Sequence, residues 1–427
     1  MAEKVVIIGL GYVGLPLACL SAKKGFKTTG LDISRKIVGA TNAGKSHIKD
    51  KELEKNVKAV KGKLTATTDA SAIKNADFVV VCVPTPVDEQ HLPDLKPLES
   101  ACRSVAANLS KGTVVIIEST IYPGTIEEIV KPILESSGLK SEKDFYLVHC
   151  PERIDPGNKK WHLENIPRVI GGLSDAGTKK AMKFYSKIIS AQILPLKSVK
   201  EAEAVKVAEN TFRDINIAFV NELAKSFDKM GIDVLEVIRG ASTKPFGYLP
   251  FYPGPGVGGH CIAVDPYYLI EKAKSKGFEH KFLKLARQIN DSMADFVVEK
   301  VEAALTSTGK NFSNAKIAVL GVAYKANIDD SRESPSLKII SLLESKGTKP
   351  LIFDPYIAEK SNVPSLDVAI KNADVVVLAT HHSVFLKQLT PAKLKSSNVK
   401  AIVDARNALD SAAIKKVGVK YFAIGRQ

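Results

Sequence analysis

Long apolar runs are missing from this chain: no stretch reaches the ~18 residues that a membrane-spanning helix needs. Cysteine is scarce, five residues in 427 with no CxxC pair, so neither a disulfide framework nor a zinc site is indicated and no metal is expected. Arginine is scarce too. Only ten of the 61 basic residues are Arg, and the lysines are interspersed with Glu and Asp. Nucleic-acid binders cluster their basic residues and interleave them with Arg and aromatics, so the net charge of +15 reads as a solvated lysine surface that mildly attracts an anionic substrate. No nucleic-acid or membrane partner is expected. Met1-Ala2-Glu3-Lys4 leads straight into a strand-like run, unlike a cleavable signal. The expectation is a soluble, reduced, cytoplasmic protein.

What is present is ample core material. Hydrophobic residues make up 45% of the chain, and at ~150 residues per domain the length suggests roughly three domains. An internal echo organises them. Lys4-Val-Val-Ile-Ile-Gly-Leu-Gly returns as Lys316-Ile-Ala-Val-Leu-Gly-Val-Ala, and Lys74-Asn-Ala-Asp-Phe-Val-Val-Val returns as Lys371-Asn-Ala-Asp-Val-Val-Val-Leu. Such runs read as strands buried on both faces. Amphipathic stretches at 13–24 and 336–346 separate them, so both ends read as parallel βαβ domains. Between them Glu201 to Met230 holds no Gly or Pro. There Val205, Ala208, Phe212, Ile215, Phe219 and Leu223 recur every three or four residues, predicting one long helix with an apolar stripe. The fold class is therefore α/β: two Rossmann-like parallel-sheet domains at 1–199 and 309–427, joined by a helical middle at 200–308 with a long central helix.

Gly9-Leu-Gly11-Tyr12-Val13-Gly14 sits between a strand and a helix, where glycines let the backbone approach a pyrophosphate. Asp32 ends the next strand, placed to hydrogen-bond an adenosine ribose and to repel a 2′-phosphate, which favours NAD over NADP, although Arg35 lies close by. The second copy lacks the later glycines. It is either a structural duplicate or a site for a different nucleotide, with Lys325, Arg332 and Arg406 at strand ends where cations suit a phosphorylated ligand. Residues 253–259 combine four glycines and two prolines, a loop of special backbone shape that leads into His260 and Cys261, with Asp265 four residues on. A cysteine so placed is a candidate nucleophile. Cys19, Cys82, Cys102 and Cys150 read as small buried hydrophobes. Lys206 and Asn210 share one helix face, rotated from the apolar stripe, and by themselves read as a solvated flank. Glu118-Ser-Thr120 and Pro151-Glu152-Arg153 each follow a strand, positions that suit ligands and catalysis.

Taken in order, these motifs, with Pro123-Gly124, Gly258-Gly-His-Cys261 and Arg332-Glu-Ser334, resemble the UDP-glucose/GDP-mannose dehydrogenase family from residue 4 to past 406. Pro156 and His260 stand where UDP-glucose members carry Glu and Ser, which fits an N-acetylhexosamine branch with UDP-N-acetylglucosamine as the implied substrate. The manno epimer and UDP-glucose are the alternatives. The resemblance implies a four-electron oxidation at sugar carbon 6 with two NAD reduced in turn. Cys261 would carry a thiohemiacetal and then a thioester. Lys206 and Asn210 would stabilise oxyanions, and Asp265, Thr120 and Glu152 would position or activate water. It also implies cofactor contacts at Gly9, Gly11, Tyr12, Val13, Gly14, Asp32, Thr85, Thr120 and Arg332. Substrate contacts are implied at Glu152, Arg153, Lys206, Asn210, Arg213, Phe251, Tyr252, Gly258, His260, Lys325 and Arg406, and at least a homodimer is expected. Two rivals are a β-hydroxyacid dehydrogenase, which needs neither the Cys261 loop nor a second α/β domain, and a non-catalytic NAD-binding redox sensor.

Overall fold

The computed structural model describes residues 2–88, 90, 92–154, 158, 160–259 and 262–426. The chain divides into two compact units, Met1–Glu209 with Tyr267–Phe278, and Asn210–Pro266 with Glu279–Gln427. Among the described residues no helix is long and apolar enough to cross a membrane.

The first unit is built on eight strands, β1 Lys4–Ile8, β2 Lys27–Leu31, β3 Leu64–Thr67, β4 Phe78–Val81, β5 Val114–Ile117, β6 Tyr146–His149, β7 Arg168–Gly172 and β8 Ile193–Pro195. Their order in the sheet is β3-β2-β1-β4-β5-β6-β7-β8. Both faces are covered: Val5 and Ile7 join one apolar cluster while Val6 and Ile8 join the other. That is the period-two outcome of an uninterrupted aliphatic strand. All pairings are parallel except β6–β7. No described helix links those two strands, so the chain that leaves the C-terminal edge of β6 comes back antiparallel. Glu152 lies at the start of that return loop.

The second unit holds β9 Ile317–Leu320, β10 Leu351–Phe353, β11 Val375–Leu378, β12 Ala401–Asp404 and β13 Lys420–Ala423, ordered β10-β9-β11-β12-β13 and parallel throughout. The helix Met293–Ser307 buries its apolar face against this sheet. The sequence echo has a structural counterpart. Lys4 donates its backbone N–H to Asp77 (2.7 Å) and its ammonium to the Lys74 carbonyl (2.5 Å); Lys316 makes the same two bonds to Asp374 (2.8 Å) and Lys371 (2.6 Å). Asn75 and Asn372 take the same left-handed turn, at φ 56° and 54°. The repeated Lys and Lys-Asn-Ala-Asp are thus one latch used twice, tying the first strand of each copy to the turn before its neighbour.

The long helix runs Val199–Met230, 32 residues, starting two residues before the expected one. Its orientation differs from expectation. The buried face carries Ala202, Glu203, Lys206, Val207, Asn210, Thr211, Asp214, Asn221 and Ala224, whereas Phe212 and Phe219 of the apolar stripe remain 48% and 55% exposed. The polar face can be buried because it brings its own partners. Glu203, for example, accepts the backbone N–H groups of Gly124 (2.5 Å) and Ile126 (2.8 Å), which satisfies a buried carboxylate.

Candidate active site

The turn after β1 is shaped for close approach. Gly9 has φ +87° and a Cβ there would stand 2.8 Å from the Cys82 carbonyl oxygen, while a Cβ on Gly14 would overlap the Gly9 carbonyl. Gly11 faces open space, with nothing within 4 Å. The helix Gly14–Lys23 that follows has no side-chain cap and no acid in its first turn, so its leading N–H groups favour an anion. Tyr12 and Val13 pack on the core beneath. Asp32 accepts one N–H on each carboxylate oxygen, from Leu10 (2.8 Å) and Ser34 (2.8 Å), which leaves lone pairs for ribose hydroxyls. Beside it Ile33, which sequence reasoning missed, is fully exposed and offers apolar surface to a flat base. At the C-terminal edge the Thr85 carbonyl is held by the Tyr268 hydroxyl (2.7 Å). An open-faced glycine, an uncapped helix and a half-loaded carboxylate fit NAD.

Further along the same edge, β5 and β6 run in register, Ile117 beside His149, so Glu118 and the Cys150-Pro151-Glu152 segment emerge together. Thr120 is half-buried here. Glu118 suited a ligand in the sequence, but it is buried in an internal ion pair. Arg168, itself 1% exposed, stands 3.5 Å from Glu118 Oε2, and the Tyr185 hydroxyl donates to the other oxygen. Sequence reasoning missed both partners, which lie 50 and 67 positions away. Arg168 also donates to the Pro151 carbonyl (3.3 Å) and Glu152 N–H to the Glu118 carbonyl (3.4 Å), so this frame holds the backbone on both sides of Glu152. Burial pushes the Glu152 carboxyl up to about 7, against the opposing pull of Lys206 and Arg168. A carboxyl so placed exchanges its proton near neutral pH.

Lys206 and Asn210 are not a solvated flank: they are 8% and 5% exposed, one turn apart on the long helix. In the second unit Asn210 donates its side-chain amide to Asp265, which is also buried and opens the helix Asp265–Ser275. Arg153 is tied to Glu209 (3.2 Å from Nε) and to the Pro167 carbonyl (2.9 Å). Arg213 and Tyr252 are exposed, and Phe251 is half-buried beside the ring of Phe212. Arg332, expected at the cofactor, belongs to the second unit, where it forks onto Asp330 (2.9 and 2.6 Å). Cys261, His260 and Pro156 lie outside the described residues. The other four cysteines are buried, and burial pushes the Cys19, Cys102 and Cys150 thiols up to about 12.

The second sheet repeats the crevice but closes it. Asp354 follows β10 as Asp32 follows β2, yet it is wholly buried and accepts from Val322 (2.6 Å), Ala323 (3.0 Å), Tyr356 (2.8 Å), Ile357 (3.1 Å) and the His382 ring (3.0 Å). Burial alone would raise its carboxyl, but His382 and these N–H groups hold it at about 2. With five donors it has nothing left for a ribose. Cations stand at the edge instead: Arg406 donates to the Ala379 carbonyl (2.8 Å) and reaches the Tyr324 carbonyl (3.4 Å) beside half-buried Lys325.

Known proteins share this arrangement. The NAD binding, central and UDP binding domains of the UDP-glucose/GDP-mannose dehydrogenase family match residues 3–189, 200–292 and 318–411. The UDP-N-acetyl-D-mannosamine dehydrogenase of Pyrococcus horikoshii is 37% identical over 425 residues, 99% of each chain. A solved structure of UDP-D-ManNAc dehydrogenase from that organism superimposes with a TM-score of 0.93 over 99% of both chains. The UDP-N-acetyl-D-glucosamine 6-dehydrogenase of Salmonella typhi is 38% identical over 390 residues, 90% of each chain. With all three family domains in order and full-length relatives matched end to end, the chain belongs to the UDP-glucose/GDP-mannose dehydrogenase family and is an NAD-dependent oxidoreductase.

Proposed function

We propose that the protein oxidises the carbon-6 alcohol of a UDP-N-acetylhexosamine to the carboxylate, in two stages at one site. The observation that carries this reading is the frame of Arg168 and the Glu118 carbonyl that holds the backbone around Glu152. Burial raises this carboxyl to about 7, and the buried Lys206 on the same unit has a charge that pulls against that rise. Such a carboxyl suits a sequence that first removes a proton from an alcohol and later activates water. Bound NAD supplies the hydride acceptor for each stage. Lys206, with Asn210, stabilises negative charge on the carbon-6 oxygen. The Cys261 thiolate adds to the aldehyde carbon, forming a C–S bond while the carbonyl π pair moves to oxygen; re-forming C=O as a second hydride leaves to NAD+ then gives a thioester. Water activated by Glu152, with Asp265 and Thr120 as positioning groups, then cleaves the carbon–sulfur bond, releasing the acid and restoring the thiol.

Lys325 and Arg406 would hold the UDP diphosphate, with Arg213, Phe251, Tyr252 and Gly258 toward the sugar. In this reading residues 1–199 serve NAD, 200–308 dimerisation and 309–427 UDP. The outward stripe bearing Phe212 and Phe219 would be covered by a second copy of the chain. UDP-N-acetylglucosamine is the favoured substrate. The manno epimer is a specific second reading, supported by the 99% overlap with the P. horikoshii enzyme. Incubating the protein with NAD and a panel of UDP-sugars tests this: efficient turnover is expected only with N-acetylhexosamines, and turnover confined to UDP-glucose would overturn it.

A further inference from the structure

The loop from Phe251 to Gly259 has no helix or strand of its own, so something else must fix its backbone. In the second unit a continuous relay of hydrogen bonds does so. Arg287 Nη1 donates to Asp214 Oδ1 (2.7 Å), Asn290 Nδ2 donates to the same oxygen (2.8 Å), Asn221 Nδ2 donates to Asn290 Oδ1 (2.9 Å), and Gly254 N–H donates to Asn221 Oδ1 (2.9 Å). All four side chains are at most 5% exposed.

The direction of the relay is dictated by chemistry. A guanidinium only donates and a carboxylate only accepts, so Asn290 must turn its NH2 toward Asp214 and its oxygen toward Asn221. Asn221 must then donate with its NH2, which leaves its oxygen for the loop. The buried Arg287–Asp214 charge pair thereby sets both amides and, through them, the seat of Gly254. The loop fits closely around this anchor: Gly256, at φ +127°, passes the Asn290 carbonyl so tightly that a Cβ would lie 3.0 Å from it. At the far end Gly259 N–H donates to the Arg332 carbonyl (3.1 Å). The chain reaches Cys261 two residues later.

We propose that Asn221 and Asn290 are positioning residues for the covalent step: by seating Gly254 they fix the loop that leads into Cys261, and so set how often the aldehyde is captured before it escapes. The inference rests on the thioester reading given above. It separates from a merely structural role by a partition. Loss of folded protein lowers aldehyde and acid formation together, because one population makes both. Loss of positioning changes their ratio, since capture depends steeply on geometry.

The test is Asn221→Leu, near in size and unable to make either bond, with Asn221→Ser as the companion that is smaller, so that it cannot crowd the site, and keeps a hydroxyl too short to span both partners. NADH formed per UDP-N-acetylhexosamine consumed is measured alongside aldehyde and acid by mass spectrometry, with folded fraction and NAD affinity as controls. The expected result is a ratio falling from two toward one, with aldehyde released and capture relative to release reduced roughly tenfold, while NAD affinity stays unchanged. A ratio of two in both variants, with activity lost only in proportion to folded protein, overturns the proposal. A wild-type ratio of one would instead overturn the thioester reading itself, and this inference with it.

Discussion

Asp354 stands in the second sheet where Asp32 stands in the first, and the two carboxylates carry opposite loads. Asp32 accepts two backbone N–H groups at the edge of an open turn, whereas Asp354 accepts four together with the His382 ring. One copy of the fold leaves lone pairs of this carboxylate open and the other has taken them up with its own backbone and a histidine ring.

If the first crevice takes up NAD with Asp32 at the ribose, as proposed, Asp32 should select against a 2′-phosphate. A phosphate against a carboxylate costs upwards of about 1 kcal/mol even near the surface, so kcat/KM for NAD+ should exceed that for NADP+ by at least ~10-fold. Asp32→Ala should shrink the gap. Equal values in the wild type would show that Arg35 reads the ribose instead.

Glu152 makes both rate and stability depend on pH. If it is the base, as proposed, it must be ionised, so kcat/KM should rise as pH passes about 7. The sign for stability is opposite to that of an ordinary ion-paired acid. Its carboxyl is raised from 4.5 to about 7, so between those values the folded state holds a proton that the unfolded state has released. The contribution to stability is greatest below 4.5 and declines as pH rises to about 7. Glu152→Gln should lose activity at every pH while its melting temperature gains on that of the wild type from pH 5 to pH 8. A constant difference across that range would mean that Glu152 titrates normally.

Arg168→Met should be strongly destabilising. It leaves Glu118 buried without its cation, a loss of about 3–5 kcal/mol. Adding Glu118→Leu removes the stranded charge and should restore much of the stability, as measured by denaturant unfolding. A double variant no more stable than the single one would mean that the pair matters for shape and not for charge.

What the sequence made legible was whatever local pattern controls. Strands buried on both faces announced themselves as aliphatic runs, GxGxxG with Asp32 marked the first crevice, and the repeated Lys-Asn-Ala-Asp marked a duplicated fold. The long helix was legible in extent but not in orientation. Its inward face is chosen by distant partners: Gly124 and Ile126 for Glu203, Arg287 for Asp214, Asn290 for Asn221. Periodicity counts apolar side chains and is blind to a polar one whose partner lies dozens of residues away. The same blindness hid Arg168 and Tyr185 behind Glu118, and Asp354 behind the missing glycines.

The apolar stripe that the helix turns outward predicts association. Phe212 and Phe219 are about half exposed, and charge placed there should be tolerated by a monomer and not by an interface. The wild type should sediment as a homodimer or larger at micromolar concentration, and Phe212→Glu with Phe219→Glu should shift it toward the monomer. A monomeric wild type would defeat this.

The central claim is that one site carries an alcohol through to an acid. It is tested most directly by counting NADH released per UDP-N-acetylhexosamine consumed under excess NAD+, with the products identified by mass spectrometry. The account predicts two NADH per sugar, the uronate as product and little free aldehyde. One NADH per sugar with the aldehyde in solution would contradict it.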